Sequence, residues 1–543
     1  MRTLGETTGG RPLVVALISA PENIRNLAKY QDIQRRLADP RLAPGEAERE
    51  ALLRTGKTVV AISCSIHSTE IVASQMSMQL AYELASAEDA ETREILQNTI
   101  LLLLPAANPD GVDIVAGWYR KTLGTPYEGT EPPELYHHYA GHDNNRDWFM
   151  LNLKETQLIT RLFWREWFPQ VVYDVHQQGS TGSRFFVPPF FDPPNPHIPP
   201  LLLREVGLIG HKIAADLQAE GRQGVITNAL YDTWWHGGFR TAPYYHNSVG
   251  ILTEAASARL MSPVEVSREQ LARSSSRGMP SALQSATNFP DPWPGGTWRP
   301  RDILEIELTA SRAVLSMAAK YRERYLRNFY ELGRAAVADR RANESTAAYR
   351  IPKEQGNAEN LAKLIGALVA QGVEVYRVER ERSYDASSGT AKGGLVRRIP
   401  VGDYIVPLEQ PYRANVLALF ERQVYPDRRT AGGEAERPYD VAGWTLPMQM
   451  GIDVIPVPQT PLNSAGYHNP AYRPVRDETD VRRDLGLPLQ TGKASPIRNP
   501  LTRPVRLALY KSWTNSMDEG WTRYVFDRFN VPFQSLLDRD VRA

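Results

Sequence analysis

The chain's 543 residues exceed one ordinary core, and at ~150 residues per domain they imply about two to four domains. Its 63 basic and 62 acidic residues balance to a net charge of +1, which gives no electrostatic reason to expect nucleic acid or an anionic membrane as a partner. The single cysteine, Cys64, excludes internal disulfides and any cysteine-based zinc site, and its place within an apolar strand makes it a buried small side chain.

In chain order, the first 260 residues alternate strand and helix signals. Apolar strands are predicted at Pro12–Ser19, Thr58–Ile66, Thr99–Pro105, Gln170–Val175 and Val249–Thr253. Helices are predicted at Glu22–Leu37, Ile71–Ser86, Asn152–Trp167 and Pro200–Ala219, with Gly- and Pro-rich loops at Leu123–Pro133 and Val187–Pro200. The strands are continuous apolar runs, which implies a sheet covered on both faces and hence an α/β domain over residues 1–270. The longest of these runs, Ile100–Leu104 and Val171–Val175, fall far short of the ~20 apolar residues a membrane span needs. Residues 271–345 read as a polar connector followed by one long helix, Ile303–Ala338. A second, smaller α/β unit is expected over 346–458, with a helix at Ala358–Gln371 and strands at Val373–Val378 and Tyr404–Pro407. Residues 459–504 read as a Pro-rich linker. The last forty or so residues give a lone βαβ unit, from strand Val505–Tyr510 through helix Glu519–Phe529 to strand Pro532–Leu537. Such a unit cannot bury both faces of its strands alone, so it begins a third domain or packs on a neighbour. It resembles the start of a glutamine-amidotransferase-like domain, without a nucleophile in view.

The residues that carry chemistry sit at strand ends. His67-Ser68-Thr69-Glu70 lies where the buried strand from Thr58 turns into a helix, the end of an open α/β sheet that hosts ligands. An imidazole nitrogen and a carboxylate there suit a borderline-soft divalent cation, above all zinc. A catalytic zinc takes three protein ligands, and His176, closing the apolar run Val171–Val175, is the candidate for the third. Glu254 ends another apolar run, Val249–Thr253, and is the candidate general base. Between them, Asn145 and Arg146 stand side by side, an amide and a guanidinium suited to gripping a carboxylate.

The order of these pieces, His67/Glu70, Asn108–Gly111, Trp118–Thr122, Asp143–Arg146, His176 and Glu254, resembles that of the carboxypeptidase A-like zinc carboxypeptidases over about residues 4–260. The resemblance implies a mixed central sheet flanked by helices, and a single Zn²⁺ held by His67, Glu70 and His176. It implies that Asp143 orients the first zinc histidine, that Arg120 stabilises the oxyanion, and that Asn145 and Arg146 clamp the substrate's terminal carboxylate. Glu254 then matches the base that activates water and protonates the leaving amine. Tyr231, 23 residues earlier, is similar in spacing to a substrate-capping tyrosine. His137, His138, His142, His236 and His246 are assigned to the cleft rim or the core. Around Trp234–Thr241 no side-chain pocket residue stands out, and Arg240 is read as structural rather than as a receiver of an acidic side chain.

The function so implied is a zinc-dependent metallocarboxypeptidase whose partner is a peptide or peptide-like substrate with a free C-terminal carboxylate. The alternatives are a same-fold amidohydrolase acting on N-acyl amino acids or cell-wall amides, and a non-catalytic binding protein. Met1 is followed almost at once by the first predicted strand, without a signal peptide, so the expectation is either a cytoplasmic protein or a chain that lacks its natural beginning. Members of the family are commonly exported, so the resemblance implies periplasmic or extracellular action.

Overall fold

A computed structural model describes residues 1–338, 346–385, 396–430, 432–458, 470–489, 501, 503 and 505–541. The first domain is built on an eight-stranded mixed sheet: β1 (Arg2–Glu6), β2 (Pro12–Ile18), β3 (Thr58–Cys64), β4 (Thr99–Leu104), β5 (Val171–Gln178), β6 (Phe185–Phe186), β7 (Val225–Ile226) and β8 (Val249–Ala256). Their order across the sheet is β1-β2-β4-β3-β5-β8-β6-β7. The central strands β4, β3, β5 and β8 run parallel, and antiparallel strands sit on both sides.

Side chains alternate across this sheet with a period of two, and both faces are covered. Val60, Ile62 and Cys64 of β3 pack on one face with the helices Val72–Ser86, Pro200–Ala219 and Pro300–Lys320. Val59 and Ala61 pack on the other with Leu27–Ala38, Lys154–Arg161 and Arg322–Ala338. Burial on both faces explains why the sequence shows continuous apolar runs there. Cys64 lies fully buried on the first face. No helix among the described residues is long and apolar enough to cross a membrane.

Three predicted helices are broken. The helix expected at Ile303–Ala338 is two, Pro300–Lys320 and Arg322–Ala338, separated at Tyr321 with φ −105° and ψ 26°. The reason is geometric: the first half covers one face of the sheet, while Leu326, Phe329 and Tyr330 of the second reach the other. One straight rod cannot do both. The helix expected at Glu22–Leu37 is interrupted at Asn26. That at Asn152–Trp167 begins at Lys154 and widens to a π-turn over Leu162–Trp167, ended by Phe168 in the left-handed region at φ 50°.

The second unit is a five-stranded antiparallel sheet in the order Ile455–Pro458, Thr346–Ile351, Tyr404–Pro407, Tyr376–Val378, Tyr472–Pro474. Part of the stretch expected as linker therefore belongs to it: Tyr472–Pro474 is an edge strand and Glu478–Asp484 a helix. Proline at the end of an edge strand is tolerated because its missing donor faces no partner. The rest of that predicted linker, 459–469 and 490–500, lies outside the described residues. Phe149, Trp234 and Trp235 of the first domain share an apolar cluster with Leu361, Leu368 and Leu417 of the second, so the two units are packed through a common core.

The final unit has parallel strands Ala508–Tyr510 and Gln534–Leu536 around the helix Met517–Arg528. That helix packs on the first domain. Tyr139 stacks edge-on with Tyr524 at 5.3 Å and donates to Asp527 at 3.0 Å. The approach is close enough that a Cβ on Gly520 would lie 2.1 Å from the carbonyl oxygen of Tyr139.

Candidate metal centre

Three parallel strands deliver the site. After β3 the chain turns through Ser65 at φ 49° and presents His67 and Glu70 before the helix Val72–Ser86. The Asn108–Gly111 motif braces this turn. Asn108 accepts from the Gly111 amide at 3.1 Å and donates to the Tyr136 carbonyl at 3.1 Å, while the Ser68 hydroxyl donates to the Asn108 carbonyl at 3.2 Å. Gly111 is required by proximity, because a Cβ there would meet Ser68 Oγ and the Tyr136 carbonyl at 2.3 Å each.

His176 ends β5 and Glu254 lies opposite it on β8. The ligating atoms of His67, Glu70 and His176 all lie within 4.8 Å of one another. Glu70 bridges the two imidazoles, with Oε1 2.9 Å from His67 Nδ1 and Oε2 2.8 Å from His176 Nδ1, and Oε2 also accepts from the Gln177 amide at 2.8 Å. Each imidazole is held from behind through Nε2. His67 Nε2 lies 3.2 Å from the carbonyl oxygen of His142, and His176 Nε2 lies 2.6 Å from Asp174 Oδ2. With Nε2 held as donor, each Nδ1 is the nitrogen left to ligate a metal once its own proton is lost, the arrangement a metal-ligating histidine needs. Two nitrogens and a carboxylate, mutually close, buried and oriented from behind, fit a zinc ion.

The electrostatics agree with a cation site. Burial would raise Glu70, yet His67 and His176 beside it outweigh burial and hold the carboxyl well below its usual range. Burial lowers the basicity of His67. Burial works the same way on His176, but Asp174 and Glu70 on its two sides override it and raise its pKa well above 6.5. Glu254 is pushed up to about 8, chiefly by burial and in part by Glu70, against the opposing pull of His176. The Tyr231 hydroxyl, which borders the same pocket, donates to Gln178 Oε1 at 3.5 Å.

These residues line a cavity of about 260 Å³ together with His142, Asn145, Arg146, Gln178, Arg240, Tyr439 and Asp440. His142 stacks on His67 at 3.8 Å. Tyr231 is 7% exposed, with its ring edge-on to Phe186 at 4.9 Å and to Tyr439 at 4.8 Å.

Three sequence expectations are corrected by this geometry. Asp143 does not orient His67. The preceding residue's carbonyl takes that place, and the Asp143 carboxylate instead faces Trp521 Nε1 at 3.4 Å. Arg120 is exposed in the last turn of the helix Pro109–Thr122 and does not line the cavity, because the helix buries Val115 and Thr122 and turns Arg120 outward. Asn145 borders the cavity, but its amide is already engaged. Nδ2 donates to Asp174 Oδ2 at 3.0 Å and approaches His176 Nε2 at 3.1 Å, while Oδ1 accepts from the Phe239 amide at 2.9 Å. The cations that do line the cavity are Arg146 and Arg240. The Arg240 guanidinium donates to the Asp232 carbonyl at 2.7 Å and lies 4.6 Å from the Phe190 ring centre, while its Nη1 has no hydrogen-bond partner among the described residues.

The sequence also missed Asp174 as the orienting carboxylate and missed Tyr439 and Asp440 entirely. The first was signalled by its position two residues before His176 on the same strand face. No local pattern marks the other two.

Compared with known proteins, residues 1–162 match the family model for zinc carboxypeptidases. That stretch contains His67 and Glu70 but ends before His176 and Glu254. No curated protein matches the chain. Among solved structures, it is similar to a metallo-carboxypeptidase from Burkholderia cenocepacia at 14% identity, covering 59% of this chain and 64% of that one, with a TM-score of 0.35. It is also similar to a metallo-carboxypeptidase from Pseudomonas aeruginosa in complex with (2-guanidinoethylmercapto)succinic acid, at 15% identity over 59% and 64%, TM-score 0.36. Carboxypeptidase A from Helicoverpa armigera aligns at 15% identity over 59% and 67%, TM-score 0.34. The chain thus spans about 64% of the length of the first two.

Proposed function

We propose that this chain, with the zinc carboxypeptidase match over its first 162 residues as premise, is a zinc-dependent carboxypeptidase that hydrolyses C-terminal peptide bonds. His67, Glu70 and His176 would hold the ion, and Glu254 is the general base. The observation that carries this reading is the pairing of His176 with Glu254 across β5 and β8, which sets a further, partly buried carboxyl in the same cavity as the three donors.

Zinc, when bound, supplies Lewis acidity to the scissile carbonyl and acidifies water. The chain's own residues do the rest. Glu254, held at about 8 by burial before any cation arrives, is a carboxylate that gains and loses a proton readily near neutral pH. It takes a proton from the attacking water and returns it to the leaving amine. Tyr231, packed edge-on against Phe186 of β6, lines the cleft together with Glu254. Arg146 receives the terminal carboxylate of the substrate, without Asn145, whose amide serves His176 and Asp174. Negative charge on the reacting oxygen is met by Arg240, the other arginine that lines the cavity, in place of the exposed Arg120.

The test is elemental analysis of the purified protein combined with an assay for release of C-terminal residues. The reading requires close to one zinc per chain and sequential C-terminal release. Metal-free protein, or cleavage confined to internal bonds, contradicts it.

A further inference from the structure

If Arg146 receives the substrate's terminal carboxylate, one carboxylate of the chain already sits there. Asp440, on the loop between residues 421 and 445 of the second unit, has Oδ1 2.9 Å from Arg146 Nη2. Both side chains are 19% exposed, so the pair is largely withdrawn from water. An ion pair this close and this little exposed is screened less by water and salt than one at the open surface. Tyr439 beside it packs edge-on against Tyr231, which lines the same cavity as Glu254. Two neighbouring residues of the second unit therefore form a wall of the first domain's cavity.

We propose that Asp440 is a specificity-determining residue: it occupies the carboxylate subsite as an internal stand-in for the substrate's terminal carboxylate and competes with it for Arg146. This deepens the carboxypeptidase reading and rests on it. A free C-terminus must displace Asp440 to bind, whereas a substrate without that carboxylate leaves the pair in place. The effective affinity for free-acid substrates is thus reduced by the fraction of molecules in which Asp440 holds the clamp.

The loop is fixed by contacts that do not involve Asp440. Glu436 pairs with Arg277 at 2.9 Å, the Tyr439 amide donates to Asp232 at 3.2 Å, and Trp235 Nε1 donates to the Gly443 carbonyl at 2.7 Å. Tyr425 and Trp444 pack edge-on against Trp234 at 5.0 and 5.2 Å. Asp440 is therefore the tip of a strap anchored on both sides, and replacing it removes the competing charge while the strap stays seated.

The experiment measures binding of N-acetyl-D-phenylalanine and its C-terminal amide to the zinc-loaded protein by calorimetry, so that turnover does not intervene. Asp440→Asn is expected to tighten the free acid about tenfold and leave the amide unchanged, while Arg146→Ala weakens the free acid. If Arg146→Ala weakens the acid but Asp440→Asn leaves it unchanged or weaker, the competition proposal is overturned and the clamp reading stands. If Arg146→Ala has no effect on the acid, the clamp reading falls and the proposal with it. Asp440→Ala, expected to tighten the free acid as Asp440→Asn does, guards against an asparagine that keeps the Arg146 contact.

Discussion

His176 and Glu254 are register partners on the adjacent parallel strands β5 and β8, so their side chains emerge together on one face at the carboxyl end of the sheet. Asp174, two residues earlier on β5, lies on that same face and meets His176 Nε2 at 2.6 Å. One strand pairing thus sets a candidate metal-ligand histidine, the carboxylate that orients it and the candidate base in fixed relation.

Metal loading should release a proton. His176 lies between Asp174 and Glu70, which raise its pKa well above 6.5, so the metal-free protein holds an imidazolium at pH 7. Binding requires the neutral ring. Calorimetry at pH 7 in buffers of different ionisation enthalpy should show proton release on zinc binding, with affinity rising as pH rises. Proton uptake on binding would be inconsistent with this.

Removing the Asp174 carboxylate should weaken the metal site. Asp174→Asn is expected to lower zinc affinity by about 10–100-fold, the usual effect of losing a histidine's orienting partner. Asp143→Ala should leave affinity unchanged, because the His142 carbonyl holds His67. Competition with a fluorescent chelator reads both.

The two arginines predicted at the site should behave differently. Arg120→Ala is expected to leave kcat and KM unchanged, since the side chain is exposed and outside the cavity. Arg146→Ala should raise KM for peptides with a free C-terminus much more than for amidated ones. Parallel steady-state kinetics on the two substrate types distinguishes them.

Glu307 gives a stability prediction. It is fully buried on the helix Pro300–Lys320, neither carboxyl oxygen has a hydrogen-bond partner among the described residues, and burial with help from Glu70 raises its pKa well above 4.5. The folded state therefore holds a proton that the unfolded chain gives up above 4.5, and stability falls as pH rises beyond that point. Glu307→Leu should stabilise the protein at pH 7 by about 1–3 kcal/mol, the scale of an unsatisfied buried polar group, and should flatten that slope. Urea denaturation across pH 5–8 measures both.

The strand ends at His67, His176 and Glu254 were legible because β3, β5 and β8 are buried on both faces and show as unbroken apolar runs. The strand register was not legible, since pairing between distant segments leaves no local mark. Arg120 shows how a motif can mislead: at about 100° per residue it lies about 140° around the helix from buried Val115, and so faces solvent. Tyr439 and Asp440 could not be read because they arrive from a second unit, through tertiary packing around Trp234 and Trp235. The break at Tyr321 escaped for a related reason. Apolar residues continue at helical spacing on both sides of it, and only the need to cover opposite faces of the sheet divides them.

The most direct measurement is the Glu254→Gln variant, scored for zinc content and for C-terminal release under the same conditions. The account predicts unchanged zinc stoichiometry, because Glu254 is not among the three donors, with kcat lower by about a hundredfold or more. Turnover close to that of the unaltered protein, with zinc still bound, would contradict it.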